Sequence, residues 1–220
     1  MAYTQWSVYK QDASMSAALD PIAPISGSDS LYIHRNGTAF TRANVNPGVS
    51  IPHGFTFGRL RTLLKFNNGG SGDFLGVACM LEQEDLSGTT GNAYGVIYRQ
   101  GIGTVQDRLD TVQFTAGLGT FTALTTSGSQ SYYDMTRPAG FVICLDVVWR
   151  LDIANYGGVL FQVQQGVQTD YSDLTTRFTY VDTSSPLTTT VNEAVVYSGA
   201  GTTTFQARYD QTFLVPRIAG

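Results

Sequence analysis

The chain has 220 residues, a formal net charge of -4 and only 14% charged residues, against about 25% in ordinary soluble domains. Its 13 Lys and Arg residues form no cluster, which excludes nucleic acid as the main partner because phosphate neutralisation needs grouped cations. No stretch approaches the roughly 18 apolar residues of a membrane span, so a membrane partner is excluded as well.

Residues 1–30 differ in composition from the rest of the chain. The stretch SMSAALDPIAPISGSDS combines prolines with small residues and a Ser-Gly pair, which is typical of irregular backbone. We therefore predict an extended N-terminal arm over 1–30 and a single domain over 31–220. The opening MAYTQWSVYKQD has no basic start and no long apolar run, so we expect no signal peptide.

From residue 31 onward, apolar residues recur at every second position, which is the period of β-strands. In LYIHRNGTAFTR (31–42) the pair Asn36-Gly37 predicts a two-residue hairpin turn, because both central positions of that turn need positive φ. A second hairpin is predicted where 55–66 and 74–83 flank the glycine-rich NNGGSGD. Further strands are predicted at 93–100, 108–117, 120–127, 141–153, 158–165, 176–183, 192–198 and 202–215.

The clearest strand pattern is FVICLDVVWRLDI (141–153), where the apolar residues from Phe141 to Ile153 share one face and Cys144 and Asp146 lie on the other. Strands spaced about ten residues apart are typical of a sandwich or barrel. The predicted fold class is all-β, an antiparallel β-sandwich of jelly-roll or concanavalin/laminin-G-like type with an irregular N-terminal arm.

Cys79 and Cys144 each lie inside an apolar run. Free cysteine commonly behaves as a small buried apolar residue, so both are predicted to be reduced, buried thiols. A disulfide between the two sheets is the alternative that the sequence leaves open.

The C-terminal stretch GTTTFQARYDQTFLVPRIAG (201–220) alternates polar and apolar residues as far as Asp210. Three apolar residues then run together before a proline, which cannot donate to a strand ladder. We predict a core strand followed by a short tail over 212–220. The tail residues predicted to contact another subunit are Phe213, Leu214, Val215, Pro216 and Ile218.

The sequence predicts no catalytic residue, no cofactor and no metal site. The glycine-rich GGSGDFLG (69–76) precedes a strand pattern, whereas a phosphate loop needs a helix after it. The two histidines, His34 and His53, are interpreted as structural or solvent-facing, since they cannot build a zinc site alone. The loop 84–92 offers oxygen donors for calcium, but this composition is also ordinary for a connecting loop. Those donors are Asp85, Ser87 and Asn92.

Tyr132, Tyr133 and Asp134, in SQSYYDM (129–135), are predicted to lie in a loop and are candidate ligand contacts. Aromatic rings stack on sugar faces and anchor protein interfaces, and loops at a sandwich edge often carry function. Ordinary loop packing is the alternative interpretation.

Two segments resemble known families. The run from 55 to 83 followed by NAYGVIYRQ (92–100) resembles the strand, glycine turn, strand, tyrosine-containing strand succession of concanavalin-like and laminin-G-like jelly rolls. The segment NEAVVYSGAGTTTFQARYD (192–210) resembles a hairpin of β-sandwich domains in tailed-bacteriophage virion proteins.

The second resemblance implies a virion structural component, such as a head decoration, tail or fibre subunit. The expected function is non-enzymatic, with localisation in the virion after synthesis in the host cytoplasm. The expected partners are copies of the same chain, for example in a trimer, and other virion proteins. The alternative is a lectin-like carbohydrate-binding module that recognises a host-surface glycan.

Overall fold

In the computed structural model the chain forms two antiparallel β-sheets that pack face to face around a shared apolar core. The structure describes residues 6–10, 15–20, 24–26, 30–36, 41–47, 57–68, 73–82, 91–102, 106–117, 120–124, 131–135, 142–188, 192–199 and 204–216. No helix within these ranges is long and apolar enough to cross a membrane.

The first eight strands in chain order are β1 (Trp6–Lys10), β2 (Met15–Asp20), β3 (Ser30–Asn36), β4 (Thr41–Pro47), β5 (Phe57–Asn68), β6 (Phe74–Leu81), β7 (Ala93–Ile102) and β8 (Gln106–Thr115). The remaining elements are β9 (Thr120–Ala123), β10 (Tyr132–Met135), β11 (Ile143–Asp152), the single-turn helix α1 (Ile153–Tyr156), β12 (Gly158–Gly166), β13 (Thr175–Asp182), β14 (Asn192–Gly199) and β15 (Thr204–Pro216).

The eight-stranded sheet has the order β1-β4-β14-β6-β7-β8-β10, with β9 also paired to β8. The seven-stranded sheet has the order β13-β12-β11-β5-β15-β3-β2. All the strand pairs within both sheets are antiparallel. The prediction of an all-β antiparallel sandwich is confirmed.

Strand alternation builds the core between the sheets. On β11 the apolar positions of the predicted pattern, including Val147 and Trp149, point inward and are 0% exposed. Tyr94 and Val96 on β7 do the same from the other sheet. Because successive side chains point to opposite faces, the intervening residues of each strand lie on the outside of the sandwich. The predicted strand ends earlier than expected, since Ile153 begins α1 and is half exposed.

Both predicted hairpins are wrong, and each is instead a crossing from one sheet to the other. β3 lies in the seven-stranded sheet and β4 in the eight-stranded sheet, so Asn36 does not lead into a hairpin. β5 and β6, on either side of the glycine-rich NNGGSGD, are divided between the sheets in the same way. A sandwich buries its apolar faces by such crossings, which short-range turn signals do not distinguish from hairpins.

The first and the last strands that the structure describes both belong to the sheets. Within the predicted N-terminal arm, β1 pairs with β4 and β2 pairs with β3. At the other end β15 is one strand, inserted between β3 and β5. Its register with β5 shifts between Asp210 and Phe213, where Gln211 has a φ of 44°. A β-bulge therefore stands where the sequence predicts the strand to end and the tail to begin.

Both cysteines are free and buried, as predicted. Cys79 contributes to the core between the sheets, whereas Cys144 lies on the outer side of β11. The Cys144 thiol donates to the backbone carbonyl of Gln168 at 2.7 Å, and burial raises its pKa to about 12.

Neither thiol is expected to react with iodoacetamide at neutral pH in the folded protein. Both side chains are buried, and the raised pKa of Cys144 leaves almost no thiolate, which is the reactive form. Mass spectrometry should find no adduct before denaturation and two after it. An adduct on Cys144 in the native protein would contradict its burial beneath the 166–173 segment.

Candidate functional site

The outer face of the seven-stranded sheet carries a concentration of polar and cationic side chains. We call it the outer face, defined as the side of β3, β15, β5, β11 and β12 that points away from the core. On β5 the sequence GRLRTLLKF places three cations on this side, because every second residue points outward. Among its polar and aromatic members are Tyr32, His34, Arg59, Arg61, Lys65, Asp146, Arg150, Asp152, Gln206, Arg208 and Asp210.

A buried carboxylate holds two arginines at the centre of this face. Asp146 of β11 is directly opposite Arg61 of β5 in the strand register. Its Oδ2 accepts the Nε–H of Arg61 at 2.6 Å and an Nη2–H of Arg59 at 2.5 Å. The Arg59 Nε–H also donates to Oδ1 at 2.8 Å. The Asp146 side chain is 0% exposed, whereas the arginine side chains are 36% and 32% exposed.

The 166–173 segment packs against this centre. The guanidinium of Arg61 lies 5.4 Å from the ring centroid of Tyr171. The Tyr171 hydroxyl donates to the Gln211 carbonyl at 3.1 Å, which ties the segment to the bulge of β15. Tyr171 has a φ of 61°, a left-handed conformation that is uncommon outside glycine and often found at functional sites. Burial raises the pKa of Tyr171, so its hydroxyl stays protonated at neutral pH.

Asp173 fixes the start of the same segment. Its carboxylate accepts the N–H of Val167 at 2.8 Å and of Gln168 at 3.0 Å. Desolvation acts in the opposite direction, but these backbone donors lower the pKa of Asp173. The carboxylate is therefore ionised at neutral pH and holds the backbone that carries Tyr171.

A second group on the outer face lies on β3 and β15. The rings of Tyr32 and His34 are stacked at 5.8 Å, with 10° between their planes. The Arg208 guanidinium lies 4.3 Å from the centroid of Tyr32. Arg208 is also directly opposite Lys65 in the register, so two cations are neighbours across β15 and β5. Such like-charged pairs are destabilising in a sheet unless an anion lies nearby.

The predicted ligand contacts Tyr132, Tyr133 and Asp134 form strand β10 and not a loop. Tyr132 and Asp134 lie on one side, where Arg108 packs 4.3 Å from the Tyr132 ring and pairs with Asp134 at 2.6 Å. Tyr133 packs against the core instead. The loop prediction was wrong because the four-residue segment Tyr132–Met135 pairs with β8. The short polar pattern of this segment does not indicate that pairing.

The predicted subunit contacts at the C-terminus lie in β15. The backbones of Phe213 to Pro216 pair with β5 of the same chain. Their side chains, and the whole of Ile218, lie outside the described residues. Their role in subunit contact stays a prediction.

The remaining candidates do not form a site among the described residues. His53 and the calcium-loop donors Asp85 and Ser87 lie outside them, and the Asn92 side chain donates to Glu82 at 2.7 Å. No group of three or more His, Cys, Asp or Glu residues in the described ranges could hold a metal ion.

Sequence reasoning missed the central group of Arg59, Arg61, Asp146 and Tyr171. One signal was available, since the alternation of GRLRTLLKF places its cations on one side of a strand. The positions of Asp146 and Tyr171 beside these cations could not be predicted, because they depend on the pairing of β5 with β11 and on other contacts between residues far apart in sequence.

Comparison with known proteins finds likeness in structure alone. No protein-family model and no curated protein matches the sequence. The endo-β-1,4-glucuronan lyase of the fungus Trichoderma reesei superposes with a TM-score of 0.60 at 9% identity, covering 98% of this chain and 96% of that one.

Two further solved structures are similar over nearly their full lengths. A mixed-linkage glucan GH16 protein from Bacteroides ovatus, in complex with its product, has a TM-score of 0.56 at 9% identity, covering 96% of this chain and 94% of that one. A legume lectin-like domain from Entamoeba histolytica has a TM-score of 0.53 at 11% identity, covering 94% and 89%. At these identities the likeness establishes the fold.

The prediction that the chain is not an enzyme is wrong. That prediction assumed that a weakly charged all-β sandwich is a structural subunit. A glucuronan lyase and a GH16 protein have the same sandwich fold. Low charge overall also concealed a local concentration of cations on the outer face.

Proposed function

We propose that this chain is a carbohydrate-active protein that binds an anionic polysaccharide, such as a uronate polymer, across the outer face of the seven-stranded sheet. The observation that carries the proposal is the pair of arginine side chains Arg59 and Arg61, 36% and 32% exposed, whose guanidiniums are fixed by the buried Asp146. Arginine presents a planar fork of donors that matches carboxylate geometry.

The central strands of the outer face carry more cations than carboxylates. The chain as a whole carries -4, yet the central strands of the outer face hold five cations against three carboxylates. These are Arg59, Arg61, Lys65, Arg150 and Arg208 against Asp146, Asp152 and Asp210, and the adjacent 166–173 segment adds Asp170 and Asp173. The nearby rings of Tyr32 and Tyr171 add the aromatic surface on which sugars commonly pack.

Between the two reactions represented among the similar structures, the described residues favour elimination over hydrolysis. Hydrolysis of a glycosidic bond uses two carboxyl groups that face the bond from opposite sides. Asp146 is instead buried and enclosed by two arginines. Elimination at a uronate needs a cation beside the sugar carboxylate and groups that move a proton. Arg59 and Arg61 supply the first of these requirements.

The test measures binding and cleavage together. Purified protein is titrated with polyglucuronate, alginate and neutral mixed-linkage glucan by calorimetry, and unsaturated sugar ends are followed by their ultraviolet absorbance. We expect binding to at least one uronate polymer that weakens as salt is raised, formation of unsaturated ends, and no binding to the neutral glucan. Binding without new ends reduces the function to lectin-like recognition, and no binding to either uronate polymer overturns the proposal.

Arg61→Ala, with Arg108→Ala as its control, locates the binding surface. The two side chains are similarly exposed, at 32% and 29%, and each pairs with one aspartate at 2.6 Å, but they lie on different sheets. Arg61→Ala is expected to weaken uronate binding roughly tenfold or more, and Arg108→Ala to leave it unchanged. The reverse result would move the site to β10 and its residues Tyr132 and Asp134.

The virion role expected from the sequence stays a prediction. None of the three similar structures named above is described as a virion component. A carbohydrate-active subunit of a phage particle would satisfy both proposals, and the genes adjacent to this one would test that assignment.

A further inference from the structure

We propose that Asp146 is a positioning residue, which holds Arg59 and Arg61 as a two-guanidinium clamp for the carboxylates of a uronate chain. This inference rests on the proposed function and assigns its substrate class to particular atoms. Asp146 is placed to touch the arginines and not the ligand, because its side chain is fully buried beneath them.

The hydrogen bonds determine how the clamp is oriented. Asp146 takes the Nε–H of Arg61 and the Nε–H and one Nη2–H of Arg59. Both guanidiniums are thereby fixed at their inner edge, and the remaining N–H groups of each are left for other acceptors. Arg61 is further constrained by the ring of Tyr171 at 5.4 Å.

The spacing of the two arginines suits a repeating anion. They are separated by one residue on the same strand and project from the same side. The Nη2 of Arg59 and the Nε of Arg61 lie 2.5 and 2.6 Å from the same oxygen of Asp146, which brings the two guanidiniums side by side. Each guanidinium can receive one carboxylate, and a uronate polymer presents one carboxylate on every sugar. A single small anion would need only one of them.

Stability alone gives a weak reason for a carboxylate at this place. Replacing a buried ion pair by apolar residues of similar size is often neutral or stabilising, so the presence of such a pair is weak evidence that stability is its purpose. What the arrangement does provide is two long, flexible side chains that are ordered before a ligand arrives, which lowers the entropy cost of binding.

The test is the affinity of Asp146→Asn for polyglucuronate, for which net charge and positioning predict opposite changes. Asp146→Asn removes one negative charge from a face that binds an anion, so net charge alone predicts tighter binding of polyglucuronate. Positioning predicts the opposite, a loss of roughly 10–100-fold, as is typical when partners that orient a binding group are removed. Binding by calorimetry is compared at several salt concentrations, with circular dichroism to confirm the fold.

Asp110→Asn is the matched control. Asp110 is 2% exposed and accepts the Nε–H of Arg99 at 2.6 Å on the eight-stranded sheet. Asp110→Asn therefore changes the net charge and removes a buried carboxylate in the same way as Asp146→Asn, but on the other sheet. We expect its affinity for polyglucuronate to equal or slightly exceed that of the unmodified protein.

The outcomes separate the two proposals. No binding of any uronate polymer by the unmodified protein overturns the proposed function and the clamp together. If the unmodified protein binds a uronate polymer and Asp146→Asn binds it equally well or more tightly, the positioning role alone is overturned. If Asp146→Asn does not fold, Arg61→Lys takes its place, since lysine keeps the charge and loses the fork. Unchanged affinity in Arg61→Lys then overturns the clamp, and a loss of roughly tenfold supports it.

Discussion

Trp149→Ala is expected to lower the free energy of unfolding by about 3–5 kcal/mol. Trp149 is 0% exposed and is the largest fully buried side chain among the described residues. It lies opposite Gly58 in the register of β11 and β5, and its ring occupies the space that a side chain at Gly58 would need. Alanine at 149 would leave a cavity that the surrounding strands cannot close.

Urea denaturation followed by circular dichroism measures this loss. Val148→Ala is the control, because Val148 is the next residue on β11 but points to the opposite, half-exposed side. It is expected to cost less than about 1 kcal/mol. Equal losses for the two variants would mean that the side of β11 facing the core has been assigned wrongly.

The strands of this protein could be predicted because its core positions recur with a period of two. The pattern from Ile143 to Asp152 identified both the strand and its buried face, and Trp149 with it. The same reasoning identified the strand that became β15 but ended it too early. At Asp210 the alternation breaks because a bulge inserts residues, and the strand then continues to Pro216.

Sheet membership could not be predicted, because it is decided by contacts far apart in sequence. Asn36-Gly37 and NNGGSGD are strong local turn signals, yet each joins strands of different sheets. The energy that decides the connection comes from burying the inner faces against each other, and no single turn carries that information.

The candidate site was unpredictable for a related reason. Each residue of the site is ordinary in the sequence. Arg59 and Arg61 belong to the polar side of one predicted strand, and Asp146 belongs to the polar side of another. Only the pairing of β5 with β11 brings them together. Function on a β-sandwich depends on particular surface residues, so architecture and composition alone do not determine it.

The two sheets are joined across the core by polar contacts as well as by apolar packing. Tyr94 of β7 donates its hydroxyl to the Asp182 carboxylate at the end of β13, at 2.6 Å. The same hydroxyl accepts the N–H of Leu187 at 3.2 Å. Tyr94 is 0% exposed and Asp182 is 1% exposed, so water cannot replace these bonds. The ring also packs edge-on against Phe161 at 4.9 Å.

Tyr94→Phe is expected to lower the free energy of unfolding by about 1.5–3 kcal/mol at neutral pH, because it removes a hydrogen bond to a buried charged group and keeps the ring. Tyr133→Phe is the control, since its hydroxyl makes no hydrogen bond within the described part of the chain and its ring packs 4.6 Å from the Arg177 guanidinium. It should stay within about 0.5 kcal/mol of the unmodified protein.

The pH dependence gives an independent check on Tyr94. Burial, and then the hydrogen bond to Asp182, raise the pKa of Tyr94 in the folded state. The unfolded chain has a tyrosine pKa of about 10, so the stabilisation linked to this proton is complete below pH 10 and is lost as the pH rises above it. Phenylalanine has no proton to lose, so Tyr94→Phe should lose stability less steeply above pH 10. An unchanged slope would indicate that Tyr94 ionises no differently in the folded and unfolded states, and the cross-core hydrogen bond would then not hold the two sheets together.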